Sequence, residues 1–308
     1  MRVVSNVSLF GGFSRVTATG SRSRWIVVIW GMRFRIKIWA VAGCLVVSGF
    51  SAGRISPPGP LSRYLNASTW NTLFPHRYAL NTGGVDFYSF KAFEAAAEKF
   101  PGFLSERDTD GQKRELAAFL ANIAQETSGG WAQAPGGYFK WGLYFDREGG
   151  SPAAYVDNTK IAYPPVQGQS YFGRGPAQIS WNYNYGQFSQ AWFGDKSVLL
   201  KEPDRVATDP VLSFASAIWF WMTPQFPKPS CHSVMSGEWI PTADDLAKGR
   251  APGFGATVNV INGGVECGTG RDMQKTLYRY QYYRYFCAYL HVSPGENVTC
   301  TNQRPFGQ

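Results

Sequence analysis

Helical periodicity stopped by glycine, with little strand alternation, is what most constrains the fold of this chain. Asp86 to Phe100 carries Phe90, Phe93, Ala97 and Phe100 on one face, with Asp86 or Ser89 placed to cap it and Pro101-Gly102 to end it. Asp110-Gly111 opens a second helix with Leu116, Phe119, Leu120 and Ile123 at three- and four-residue spacing, and Ser128-Gly129-Gly130 stops it. Asp209 to Met222 reads as a buried helix whose Trp219 and Trp221 belong to the core. Thr257 to Ile261 leads into an expected turn at Asn262-Gly263-Gly264, and Leu277 to Leu290 reads as an aromatic helix. From Trp131 to Pro176 the chain is rich in Gly, Pro and Tyr, which reads as irregular or short hairpin structure. The expected class is α+β, predominantly α-helical.

The charge is unevenly placed. Residues 1–60 hold eight positive charges and no Asp or Glu, which leaves 22 positive and 21 negative charges for the rest of the 308 residues. A nucleic-acid binder needs a basic stripe in its folded part. This folded part is nearly neutral, so no nucleic-acid partner is expected and an uncharged polymer fits better. The 11 Trp and 16 Tyr suit stacking on sugar rings, although an aromatic core uses the same residues. Ile38 to Gly53 is an uncharged run of 16 residues, short of the ~20 a membrane helix needs. It follows the basic segment Met32-Arg33-Phe34-Arg35-Ile36-Lys37 and ends in small residues, the layout of a secretory signal. Residues 1–53 are therefore expected to be a leader, with Met32 as an alternative start, residues 54–69 a linker, and residues 70–308 the folded domain. An uncleaved anchor is the competing reading. Without the leader, a secreted monomer with no stable membrane insertion is expected.

Four cysteines lie beyond the leader, Cys231, Cys267, Cys287 and Cys300, and in a secreted chain they allow three full pairings. His76, His232 and His291 are far apart in sequence, with no metal-binding spacing, so neither a metal nor another cofactor is expected.

Two carboxylates have contrasting surroundings. Stepping ~100° per residue from Leu116 puts Ile123 near ~340° and Glu126 near ~280°. Glu126 thus lies on the flank of the apolar face, at the helix end, where partial desolvation favours the protonated form and proton donation to a leaving oxygen. Glu148 sits in the polar loop Asp146-Arg147-Glu148-Gly149-Gly150, where it should stay ionised and act as a base on water. Two carboxyls pushed apart in acidity are the pattern of glycoside hydrolysis.

Longer segments sharpen this. Ala118-Phe119-Leu120-Ala121 through Gln125-Glu126-Thr127-Ser128-Gly129-Gly130-Trp131 resembles the catalytic segment of family 19 glycoside hydrolases, the plant-type endochitinases. So do Tyr171-Phe172-Gly173-Arg174-Gly175-Pro176-Ala177-Gln178-Ile179-Ser180, Asn182-Tyr183-Asn184-Tyr185-Gly186 and Ala217-Ile218-Trp219-Phe220-Trp221-Met222-Thr223. Pro252-Gly253-Phe254-Gly255, Asn262-Gly263-Gly264-Val265-Glu266-Cys267-Gly268 and Gln303-Arg304-Pro305-Phe306 continue the match. The resemblance covers about residues 70–308.

It implies a lysozyme-like, bilobal fold with a deep cleft, and internal cleavage of β-1,4-linked N-acetylglucosamine chains of chitin with inversion. It implies Glu126 as general acid and, 22 residues later, Glu148 as general base, with room for a water between them at ~6.5–9.5 Å. Ser180 matches a serine that helps hold the water, and Asn184 an asparagine near the reacting sugar. Gln178, Tyr183, Lys228 and Asn262 match subsite residues, with Trp141 and Tyr163 as further sugar contacts; Tyr163 stands where the family has a stacking tryptophan. Glu266 and Arg279 match the pair that links the cleft to the catalytic carboxylate. Cys267 and Cys300 match one family disulfide, while Tyr144 and Pro165 replace cysteines of two others. Gln125 stands where many plant members have His. The resemblance leaves two other outcomes to weigh: a catalytically weak chitin-binding or wall-organising protein, which would typically lack one carboxylate, and a lysozyme-like enzyme on peptidoglycan.

Overall fold

The computed structural model describes Val28–Ile29, Met32–Arg33, Gly59 and residues 61–308 apart from 78–85, 107 and 269–272. The chain divides into two units, Met1–Ile55 and Ser56–Gln308. In the first, β1 (Val28–Ile29) pairs antiparallel with β2 (Met32–Arg33). The rest of the expected leader, including the apolar run Ile38 to Gly53, lies outside the described residues. Among those described, no helix is long and apolar enough to cross a membrane.

The second unit is helical. Its elements are α1 (Ala67–Leu73), α2 (Phe90–Ala97), α3 (Thr109–Glu126), α4 (Asn182–Phe193), α5 (Ser197–Lys201), α6 (Pro210–Met222), α7 (Cys231–Ser236), α8 (Ala243–Ala247), α9 (Phe254–Glu266) and α10 (Met273–Tyr289). Side-chain caps set several starts, as short polar residues do when they accept from otherwise free backbone N–H groups. Ser89 accepts from Ala92 N, Asp108 from Asp110 N and Gly111 N, and Asp209 from Val211 N and Leu212 N. Of the two candidate caps for α2, Ser89 is the one used.

α3 is the organising helix. Every residue from Leu116 to Ala124 is buried, and the helix packs against α7, α9 and α10. Ala117, Ala118, Ala121 and Ala124 let these neighbours approach closely. On one flank Phe93 stacks on Phe119 at 5.6 Å, and Trp221 meets the same ring edge-on. Trp219 and Trp221 are core residues, as expected. Each such fully buried side chain contributes about 1.5–3 kcal/mol of apolar transfer.

One expectation changes. Asn262-Gly263-Gly264 is not a turn that ends a helix; α9 continues through it with a kink at Asn262 (φ −139°, ψ 29°). The β structure is, among the described residues, β1–β2 and the isolated bridges Arg147–Arg174, Arg174–Ile179 and Gln225–Lys228. The predominantly helical character stands.

Candidate active site

Glu126 is the last residue of α3, and the helix ends where Thr127 leaves helical geometry (φ −111°, ψ 9°). Thr127 Oγ1 donates back to Ile123 O at 2.6 Å and accepts from Leu143 N at 2.8 Å. Thr127 O accepts from both Tyr144 N and Phe145 N, which brings the loop carrying Glu148 back to the helix tip. The ring of Tyr144 lies against Gly129 so closely that a Cβ there would sit 2.4 Å from it. Glu126 is 19% exposed in its side chain and lines a small cavity with Phe119, Asn122, Ile123, Ala177 and Phe220.

The flank is not purely apolar. Arg279 of α10, fully buried, reaches Glu126 Oε1 at 2.6 Å through Nη2. The same guanidinium grips buried Glu266 through Nε at 3.0 Å and Nη2 at 2.5 Å, and Asn122 Oδ1 through Nη1 at 3.1 Å. Asn262 Nδ2 donates to Glu266 Oε1 at 3.0 Å, so the kink in α9 feeds directly into this chain. Burial alone would lower the pKa of Arg279, but Glu126 and Glu266 outweigh it and hold the guanidinium above its ordinary value. Arg279 is therefore a fixed cation that binds one end of the Glu126 carboxyl group.

Glu148 is held differently. Its backbone N–H donates to Gly173 O at 2.8 Å, and Gly173 N donates to Glu148 Oε2 at 3.2 Å. Tyr155 Oη donates to Oε1 at 3.0 Å. Gly173 opens a tight hairpin closed by the Arg174–Ile179 bridge. Arg174 anchors that hairpin through Asp204, the carbonyls of Ser170 and Phe172, and Tyr185 Oη. The hairpin thus borders both carboxylates: Gly173 touches Glu148, and Ala177 shares the cavity wall with Glu126.

The other expected residues are distributed around this hairpin and α9. Gln178 has φ 47° and folds its amide back onto Gly175 O; Ser180 Oγ donates to Gln178 O at 3.0 Å. Asn184 Nδ2 donates to Ser180 O, and its buried Oδ1 accepts nothing among the described residues. Tyr183 stacks on Trp181 beneath Lys160. Tyr163 packs its ring on Gly186 of α4. Lys228 Nζ donates to Val260 O at 2.8 Å, six residues before Glu266 on α9. Trp141 stacks on His76 at 3.9 Å and neighbours Trp131, which is half exposed. Cys267 and Cys300 are disulfide-bonded, whereas Cys231 and Cys287 are buried thiols. Gln125, beside Glu126, accepts from Tyr138 Oη at 3.1 Å.

Sequence reasoning missed Tyr155, Arg174, Trp131 and His76. Arg174 lay inside a quoted motif, but nothing in its spacing marks an anchor. Tyr155 stands in Gly-, Ala- and Pro-rich chain with no pattern around it.

An α-helical frame that holds one carboxyl on a buried guanidinium and a second on a tyrosine and a backbone N–H, with one hairpin bordering both, fits a glycoside hydrolase. The glycoside hydrolase family 19 model, chitinase class I, matches residues 64–300. The chain belongs to that family. It is 49% identical over 252 residues to a basic endochitinase of Vitis vinifera, covering 82% of this chain and 79% of that one. It is 50% identical over 257 residues to endochitinase B of Nicotiana tabacum, covering 83% and 78%. Among solved structures it resembles a class IV chitinase of Zea mays (TM-score 0.59, 32% identity, 78% of this chain and all of the other). It also resembles chitinase C of Streptomyces griseus (TM-score 0.60, 29% identity, 77% and 97%). The fold is the lysozyme-like fold of that family.

Proposed function

We propose that the chain is an endochitinase that cleaves internal β-1,4 linkages between N-acetylglucosamine units by single displacement with inversion. Glu126 donates a proton to the leaving oxygen, and Glu148 removes one from a water that attacks the opposite face of the sugar. Ser180 steadies that water. The arrangement that carries this reading is the Glu126–Arg279–Glu266–Asn262 chain and the separately anchored Glu148, both bordered by the hairpin that begins at Gly173. Asn184, with its unmatched amide oxygen, suits a sugar acetamide or hydroxyl, and Gln178, Tyr183, Asn262, Trp141 and Tyr163 supply further polar and stacking contacts. Lys228 extends this wall with an ammonium whose known partner is a backbone carbonyl. A chitin-binding protein without turnover would not need both carboxylates anchored, which disfavours that alternative. Residues 1–53 as a secretory leader, 54–69 as a linker and 70–308 as a catalytic domain complete the proposal, with an extracellular monomer as product.

The test is turnover of chito-oligosaccharides by two conservative variants. Glu126→Gln keeps the fold and lowers kcat by roughly 10²–10⁴-fold, the size of general acid catalysis. Glu148→Gln lowers it severely but less, because Ser180 still holds water. Near-normal turnover in Glu126→Gln would mean that the acid is misassigned. Release of reducing sugar from bacterial wall instead of chitin would move the substrate to peptidoglycan.

A further inference from the structure

We infer that Tyr155 is a positioning residue for the base, its phenol fixing the direction in which the Glu148 carboxylate faces its water. The inference rests on the assignment of Glu148 as base and deepens it.

The two oxygens of Glu148 are held from two separate segments. Oε2 takes the Gly173 N–H from the hairpin, and Oε1 takes the Tyr155 hydroxyl from the loop after Gly150. Neither donor alone would fix rotation about the carboxyl bond; together they do. Both are neutral, so they orient the carboxylate without cancelling the charge that a base needs. Burial, and after it the adjacent Glu148 carboxylate, raise the Tyr155 phenol above its ordinary range, so at working pH it donates and does not ionise.

Tyr155 is held in an unfavourable backbone conformation to do this. Its φ is 51°, in the left-handed region that side-chain-bearing residues rarely adopt. Gln178 (φ 47°) and Trp181 (φ 76°), on the facing segment, share that feature. Such strain survives only where surrounding contacts over-determine it, and it concentrates at working sites. Here the contacts are evident. Tyr155 O accepts from Asn182 N, Ala154 O accepts from Tyr171 N, and the ring meets Trp181 edge-on at 5.4 Å. Buried Asn182 also ties Asp157 and the Tyr163 carbonyl to the same place. The charged groups around Glu148 have other partners: Arg147 pairs with Asp146, and Arg174 with Asp204. From the Tyr155 loop, Asp157 accepts from Thr159, and Lys160 lies over Tyr183.

Tyr155→Phe keeps the ring and removes one hydroxyl. With chito-oligosaccharide as substrate, kcat is expected to fall roughly 10- to 100-fold, the size of a hydrogen bond to a charged group. KM stays near wild type, and the acidic limb of the kcat profile moves to higher pH because the ionised carboxylate has lost a donor. Fluorotyrosine placed at residue 155 is a better donor of the same shape and moves that limb to lower pH. Wild-type kcat with an unmoved limb would overturn the inference. So would a loss confined to KM with an unmoved limb, which would make Tyr155 a sugar contact. Glu148→Gln, measured alongside, separates the two levels. If it is inactive while both Tyr155 forms behave as wild type, only the role of Tyr155 fails; if it turns over normally, the base assignment fails and this inference with it.

Discussion

Arg279 ties the proposed general acid to the buried core. Its guanidinium is fully buried between Glu266, which has no exposed side chain, and Glu126, which borders the cavity. Removing one member of a buried ion pair leaves the other charge without compensation. Arg279→Ala is therefore expected to destabilise the fold by about 3–5 kcal/mol, read from urea unfolding. Arg279→Lys keeps a charge but loses the planar fork that reaches Glu126 and Glu266 together. It should fold and yet turn over more slowly. Equal stability of Arg279→Ala and wild type would show that the triad does not bear on folding.

At the scale of elements, α3 joins the site to a second buried cluster. Glu115, eleven residues before Glu126, accepts from Leu104 N, Trp221 Nε1 and His232 Nδ1. Glu106 lies beside it, and neither of its carboxyl oxygens has a partner among the described residues. Burial first, and then the Glu115 carboxylate, push Glu106 up to about 8. Burial would lower His232, but Glu115 prevails and raises it. In both cases the folded chain holds a proton that the unfolded chain releases sooner as pH rises. Stability from these groups is present in acid and is lost upward, through the range from ordinary carboxyl acidity to about pH 8 for Glu106 and through the raised His232 value. Tm should fall between pH 5 and pH 8.5, and Glu106→Gln should flatten that fall; a profile unchanged by the substitution would contradict it. The helices themselves were largely legible, because Asp209-Pro210 and Ser89 are local signals that tertiary packing did not override. The kink at Asn262 was not, since Asn-Gly-Gly reads as a turn when only local preference is weighed. In the structure Gly263 is needed for closeness instead: a Cβ there would sit 2.2 Å from Asn259 Oδ1. α4 was missed for a similar reason, as Asn182-Tyr183-Asn184-Tyr185-Gly186 carries little apolar periodicity and its burial comes from contacts distant in sequence.

Across the whole molecule, residues that form the site come from segments more than 150 positions apart, and only their sequence likeness to a known family joined them before the coordinates did. Contacts with no motif, such as Tyr155 on Glu148, depend on how loops return and cannot be read from spacing. The far end of the chain is tied back by the Cys267–Cys300 disulfide, which spans 33 residues and follows directly on Glu266. On the chain-entropy model, closing that loop stabilises by about 3–4 kcal/mol. Cys267→Ser with Cys300→Ser should lower unfolding free energy by that order, and unchanged stability would mean that the C-terminal segment holds without it. The central claim is that Glu126 and Glu148 act on one bond from opposite sides with a water between them. Time-resolved proton NMR of chito-oligosaccharide cleavage tests it most directly: the α-anomer should appear first at the new reducing end, and initial formation of the β-anomer would contradict it.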